Sequence, residues 1–247
     1  MCRLLGFWAD EPSSLVALIG KAGLEEFSEL SHQHKDGWGL SFLDEDGTIV
    51  RHRSILPAHQ DPDFTALAGK PARAAILHLR WASPGMAVNL ANTHPFVMRG
   101  TAFAHNGEVA SDVINLAGGS LRDGMEGTTD SECLYRSLLG ECERAGDVVE
   151  GMRSLLNNVR AGFPYSGLNM MLLTSSQLMA VCQYDPAAPM LESDPQYYDL
   201  HYNAMEHFGV VASSGWETGD VWPRLANGSG IGRDFTARHT EVRHFVS

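Results

Sequence analysis

The chain opens Met1-Cys2-Arg3-Leu4-Leu5-Gly6. Removal of Met1 would leave Cys2 with a thiol and a free α-amine on one carbon skeleton, a nucleophile that carries its own base. An α-amino group titrates near about 8 and a thiol near about 8.5, so neither needs a large shift to work around neutral pH. The amine can take the thiol proton, directly or through a water, and later return it to a leaving amine. The competing reading is a small core hydrophobe in a strand, since residues 2–8 are short and apolar. A two-residue motif is weak by itself. Its weight comes from the motifs further along the chain.

The chain has 247 residues, 44% of them hydrophobic and 19% charged, which suits one globular domain, 1–247, with a sizeable core. A net charge of −12 argues against nucleic acid or an anionic membrane as the partner. No apolar run approaches transmembrane length, and the start lacks the basic and apolar regions of a signal peptide. Cys2, Cys133, Cys142 and Cys182 show neither C-x-x-C spacing nor a disulfide pattern, so a reducing cytoplasm is expected.

Working outward, Ser13–Leu30 has helical spacing interrupted by Gly20 and Gly23. A polar loop follows at Ser31–Gly39. Trp38–Leu43 and Thr48–Arg53 flank Asp44-Glu45-Asp46-Gly47 as a hairpin. Asp61–Gly69 reads as a short helix, Ala74–Arg80 as an apolar strand ending in a charge, Ala82–Pro95 as a loop, and Thr101–His105 as a strand running into Asn106-Gly107. Thr129-Asp130-Ser131-Glu132 matches a capping box, and Asp147–Arg160 is in clean helical register. Leu168–Thr174, Gln177–Tyr184, His207–Ser213 and Glu241–Val246 read as strands; Pro186–Tyr198 and Ala226–Asp234 read as loops. Roughly ten short strands, several apolar on both faces, need cover on both sides. Two mostly antiparallel sheets face to face with helices outside satisfy that, an α+β arrangement.

Five motifs stand out in order after Cys2: Lys35-Asp36-Gly37-Trp38-Gly39, His78-Leu79-Arg80-Trp81-Ala82-Ser83, Asn92-Thr93-His94-Pro95-Phe96, Ala104-His105-Asn106-Gly107 and Thr129-Asp130-Ser131-Glu132. Together they resemble the glutaminase domain of class II glutamine amidotransferases, a family of N-terminal-nucleophile hydrolases. The similarity is greatest to stand-alone, YafJ-like members, which are related to the γ-glutamyl hydrolase of ergothioneine synthesis. It spans roughly residues 2–215, and its specificity comes from the order and spacing of the set rather than from any one motif. The resemblance implies a four-layer αββα sandwich and an amidohydrolase or glutaminase activity. It implies Cys2 as the nucleophile, with the Asn106 side chain and the Gly107 backbone N–H as the oxyanion hole.

Arg80 then matches the family arginine that pairs with the substrate α-carboxylate, a role suited to a guanidinium fork. Asp130 matches the acid that holds the α-ammonium. Ser83 takes the place of a hydroxyl residue near the substrate carboxylate, Trp81 and Trp38 are expected to wall the pocket, His94 to shape its loop, and Asp36 and Gly37 to scaffold the thiol, with His105 preceding the oxyanion pair. Each residue also has a plainer reading. Asn106-Gly107 is a strong type I′ hairpin signal, Arg80 can be a solvated strand-end charge, and Asp130 is a good first-turn helix residue. Pro84 departs from the histidine that follows the hydroxyl residue in synthase-linked relatives, and Lys35-Asp36-Gly37 replaces an Arg-Gly loop of theirs.

A metal is not expected. His32-x-His34 near Asp36, with His78, His94 and His105, offers ligands, but no second pair stands at metal spacing. No cofactor is implied. The expected partner is a small molecule, glutamine or another γ-glutamyl compound, with a separate ammonia-accepting synthase and a homo-oligomer both left open. The alternatives are a hydrolase of a larger γ-glutamyl conjugate and a non-catalytic glutamine-binding subunit.

Overall fold

The computed structural model describes residues 2–246. In chain order the main elements are β1 (Arg3–Ser13), α1 (Leu15–Glu29), β2 (Trp38–Leu43), β3 (Ile49–Ser54), α2 (Pro62–Ala68), β4 (Ala72–Leu79), β5 (Phe96–Met98) and β6 (Thr101–Asn106). They continue with α3 (Gly119–Arg122), α4 (Asp130–Ala145), α5 (Val148–Gly162), β7 (Asn169–Leu173), β8 (Gln177–Cys182), α6 (Met190–Ser193), β9 (Leu200–Ala204), β10 (Phe208–Ser213), α7 (Glu217–Asp220), β11 (Ser229–Asp234) and β12 (His239–His244). The strands form two six-stranded sheets, β3-β2-β4-β1-β10-β9 and β12-β11-β8-β7-β6-β5. All the neighbouring pairs run antiparallel.

The two-residue period of each strand sorts side chains into layers. Leu4, Trp8, Ala74 and Ile76 of the first sheet meet Ala102, Ala104, Met171, Leu173, Leu178 and Ala180 of the second. The alternate residues Leu5, Phe7, Leu40, Phe42, Leu77 and Leu79 pack under Leu15, Ile19, Leu24 and Phe27 of α1 and Phe64 of α2. On the far side, Phe103, Met170, Leu172 and Val181 pack under Leu134, Leu138, Met152, Leu155 and Val159 of α4 and α5. Each fully buried aliphatic or aromatic side chain contributes roughly 1.5–3 kcal/mol relative to exposure. The order is therefore helix, sheet, sheet, helix, the α+β sandwich expected.

Local signals explain most boundaries. Ser14 caps α1, and Gly20, at φ 77°, breaks it, whereas Gly23 stays within the helix. Thr129 caps α4 by accepting from the Glu132 N–H, and Gly146 ends that helix in the left-handed conformation. Glu132 does not reach back to complete a capping box. Its carboxylate accepts from the N–H groups of Glu126 and Gly127 and pairs with buried Arg136.

Two expectations and one alternative reading need correction. Ala226–Asp234 is not simply a loop, because Ser229–Asp234 forms β11 between β8 and β12. Strands β5 and β9 carried no clear sequence signal, and with β11 they raise the nine strands named from the sequence to twelve. Asn106-Gly107 does not turn a hairpin: β6 pairs with β5 and β7, and the chain leaves Gly107 for a segment in which Val109 bridges Tyr165. Among the described residues no helix is long and apolar enough to cross a membrane.

Candidate active site

Antiparallel pairing brings the chemistry-bearing ends together. Arg3 opposes Leu79, so Cys2 at the start of β1 neighbours Arg80 beyond the end of β4. Asn106 opposes Asn169 at the corresponding end of the second sheet. Across the gap the Cys2 N–H donates to Asn106 Oδ1 at 2.9 Å. The Cys2 thiol lies 3.8 Å from the Trp81 carbonyl oxygen. Asn106 is fully buried, and its Nδ2 has no partner among the described residues. An unsatisfied buried donor costs about 1–3 kcal/mol, a cost that an acceptor entering from outside would relieve.

Gly107 follows at φ 147°, a conformation other residues rarely adopt, and a Cβ there would lie 2.0 Å from the Gly167 carbonyl oxygen. Only glycine allows this close approach, which aligns the backbone after Asn106 against residues 165–167. Ser166 N–H donates to the Glu108 carbonyl at 2.9 Å and completes the pairing.

Arg80 is 3% exposed. Its guanidinium donates to the carbonyls of Ala87 at 3.0 Å and Asp36 at 3.4 Å, and no carboxylate among the described residues pairs with it. Asp36 braces this arm. Its carboxylate accepts from Ala82 N–H at 2.8 Å, its own N–H donates to the Arg80 carbonyl, and the Gly37 carbonyl accepts from Arg80 N–H. Burial pulls the Arg80 pKa down, while Cys2 and Asp36 oppose the fall.

Asp130, in the first turn of α4, accepts from Val109 N–H at 2.9 Å through Oδ2. It thereby fixes the backbone two residues past Gly107. His105 Nε2 lies 3.0 Å from the Gly167 carbonyl and its Nδ1 lies 2.9 Å from Ser131 Oγ. A carbonyl can only accept, which makes Nε2 the protonated nitrogen and Nδ1 the acceptor. His105 thus ties β6 to α4 from the helix side of the sheet. Ser83 Oγ donates to Glu108 at 2.5 Å and links the loop after β4 to the segment after β6.

Burial pushes the Cys2 thiol up, with Arg80 opposing the rise and Asp130 adding to it. Both charges therefore lie within electrostatic reach of the sulfur. The His78 and His94 rings pack 4.2 Å apart at a 37° tilt, and burial holds both well below the usual imidazole range. Neither ring nitrogen of His94 has a hydrogen-bond partner among the described residues. His94 also packs on Phe96 beside the cis His94–Pro95 peptide, which places it in the loop's interior. Among the described residues no three His, Cys, Asp or Glu side chains are grouped to hold a metal ion.

The structure gathers Cys2, Arg80, Trp81, Ser83, Asn106, Gly107 and Asp130 at one end of the sandwich, with Asp36, Gly37, His94 and His105 behind them. Trp38 is not part of the wall. It is fully buried on the helix side of its sheet, against Phe64, and donates to Asp61 at 3.0 Å. The strand period puts it one face away from the pocket. Trp81 contributes its carbonyl, and its ring packs edge-on against His34. Two features had no sequence signal: Glu108, which holds Ser83, and Arg3, whose guanidinium stacks 4.2 Å over Tyr197 and donates to that residue's carbonyl. Arg3 thus pins residues 186–198 beside β1.

A family profile described as "Glutamine amidotransferases class-II" matches residues 1–228. The chain belongs to the class-II glutamine amidotransferases. It shares 29% identity over 199 residues with the YafJ protein of Escherichia coli (strain K12), covering 74% of this chain and 73% of that one. It shares 27% over 212 residues with the gamma-glutamyl-hercynylcysteine sulfoxide hydrolase of Mycolicibacterium smegmatis, covering 79% and 88%. Among solved structures it superposes on a glutamine aminotransferase class-II domain protein from Silicibacter pomeroyi with a TM-score of 0.65 at 21% identity, each chain covered fully. The glutamine phosphoribosylpyrophosphate amidotransferase of B. subtilis gives 0.67 at 18%, with 99% of this chain covering 49% of that longer one. These two likenesses concern the fold. As a class-II glutamine amidotransferase the chain is an enzyme, built on the sandwich those structures share.

Proposed function

We propose that this enzyme hydrolyses a γ-glutamyl amide, glutamine being the simplest, through a thioester on Cys2 after Met1 is removed. The observation that carries the reading is the buried Asn106 Nδ2, without a partner among the described residues, whose own Oδ1 holds the Cys2 nitrogen at 2.9 Å. One side chain thereby aligns the prospective base and offers a donor to an oxyanion.

The α-amine of Cys2 donates to Asn106 Oδ1 and uses its lone pair to take the thiol proton. The thiolate attacks the γ-carbonyl carbon. The oxyanion formed is held by Asn106 Nδ2 and Gly107 N–H, and a single donor of this kind is worth about 10²–10³ in kcat. Collapse breaks the C–N bond as the ammonium of Cys2 returns its proton to the leaving amine. Water, deprotonated by the same amine, then attacks the thioester, and glutamate and the free thiol are released. Arg80 binds the α-carboxylate through guanidinium N–H groups that its backbone contacts leave free, and Asp130 binds the α-ammonium. Ammonia from glutamine would pass to solution or to a separate acceptor enzyme.

A larger leaving amine is the second reading. It is favoured by the similarity to a gamma-glutamyl-hercynylcysteine sulfoxide hydrolase over 79% of this chain. The test is intact-mass analysis after incubation with 6-diazo-5-oxo-norleucine. Loss of the Met1 mass and one adduct mapped to Cys2 are expected. A Met1-free protein that takes no adduct overturns the mechanism.

A further inference from the structure

The two charged groups proposed to hold the amino-acid head stand on different loops. Arg80 leans on the loop of residues 82–95 through the Ala87 carbonyl, and Asp130 begins α4 after the loop of residues 123–129. One buried side chain joins them. Asn92, 1% exposed, donates from Nδ2 to the Ala87 carbonyl at 3.1 Å, the same oxygen that accepts from Arg80 Nη2 at 3.0 Å. Its Oδ1 accepts from Thr128 N–H at 2.9 Å, two residues before Asp130. Further contacts of Nδ2 reach Thr128 Oγ1 at 3.5 Å and Met86 Sδ at 3.7 Å.

The surroundings leave little slack. A Cβ on Gly127 would lie 2.3 Å from Asn92 Oδ1 and 2.6 Å from the Ala91 carbonyl oxygen, so the two loops are in backbone contact. Arg53 repeats the tie alongside, donating to the Thr93 carbonyl at 3.1 Å and to Glu126 at 2.9 Å. An amide is the side chain this junction requires, since it must donate to one loop and accept from the other. A carboxylate lacks the donor, and glutamine is one methylene too long.

We propose that Asn92 is a positioning residue that sets the spacing between Arg80 and Asp130, and through it the fit of a free amino-acid head group. This rests on the proposed roles of Arg80 and Asp130 in holding that head group. Loss of the amide frees the Ala87 carbonyl and lets the two loops drift. A misplacement of about 1 Å is enough to cost about 10²-fold in a reaction that depends on orientation.

The test compares two electrophiles on Met1-free protein. 6-Diazo-5-oxo-norleucine carries both α-charges, whereas iodoacetamide carries neither, and peptide mapping reports modification of Cys2 alone. For Asn92→Ala, inactivation by the amino-acid reagent should slow by about 10- to 100-fold, with Cys2 alkylation by iodoacetamide within about twofold of wild type. Asn92→Asp keeps the volume and the acceptor for Thr128, so it serves if the alanine variant does not fold, and the same selective loss is expected. Unchanged rates with the amino-acid reagent overturn the proposal. Equal losses with both reagents overturn it too, since a damaged fold or nucleophile spares neither. Wild-type protein that ignores the amino-acid reagent would instead remove the function on which the proposal rests.

Discussion

Gly107→Ala is the sharpest test of the oxyanion assignment. The added Cβ would sit 2.0 Å from the Gly167 oxygen, 2.3 Å from its carbonyl carbon and 2.6 Å from its Cα. All three are backbone atoms of a segment held by Asn106, His105 and Glu108, so no side chain can swing aside. A carbon approaching a carbonyl oxygen needs about 3.3 Å or more, so the two segments must part by more than about 1 Å. Overpacking of this kind costs about 1–3 kcal/mol. Forcing alanine to φ 147° adds roughly 1–3 kcal/mol. At about 2–4 °C per kcal/mol for a chain of this size, Tm should fall by about 5–20 °C. The residue 107 N–H moves with its backbone, and loss of that one donor predicts a kcat about 10²–10³ lower. The assay is glutamate release from saturating glutamine, well below the melting temperature of the variant. A kcat within tenfold of wild type, in a protein that shows the expected loss of stability, would refute the oxyanion role of this N–H.

Cys2→Ala should abolish turnover and leave Tm nearly unchanged; retained turnover would end the thioester mechanism. Arg80→Lys keeps the charge but loses the fork, and with it a charged hydrogen bond of about 1.5–3 kcal/mol, so KM should rise about 10- to 150-fold with a smaller change in kcat. Asp130→Asn should penalise glutamine more than an N-acylated analogue; equal penalties would remove Asp130 from the ammonium role. Stability should fall in acid. His78, His94 and His105 are held below their ordinary values by burial, so under about pH 6.5 the unfolded chain takes up protons that the folded one refuses. Their contribution is whole above that pH. It is lost at about 1.4 kcal/mol per pH unit for each histidine as pH falls towards the folded values, and urea midpoints between pH 7 and 5 measure it. A flat profile would show that the rings do become charged in place.

Much of the fold and site was legible because the motifs are local. Arg80 ends an apolar strand, Thr129 caps a helix, and both readings need only neighbours in sequence. What escaped depends on partners far along the chain. Strand β11 reads Ser-Gly-Ile-Gly-Arg-Asp, a loop by composition, yet its glycines are there because Ala180 and Met179 of β8 leave no room for side chains. Trp38 lies within a recognised motif, but strand parity alone decides which face it takes. Glu108 and Asn92 are ordinary polar residues until the fold brings Ser83 and Thr128 to them. The Asn106-Gly107 hairpin failed for the same reason, because the strand that pairs with β6 begins at Asn169.

Strand β1 lies between β4 and β10, so the earliest segment of the chain is enclosed by one that ends at residue 213. A ribosome adding about 5–20 residues per second needs roughly 10–40 s to reach that point. Through this interval Cys2 has neither its second neighbouring strand nor, at first, Asn106. Until then the Cys2 thiol lacks its finished surroundings, in which it is 9% exposed. On the thioester reading, the nucleophile is therefore shielded only once nearly the whole chain has been made, and strand β10 is what encloses it.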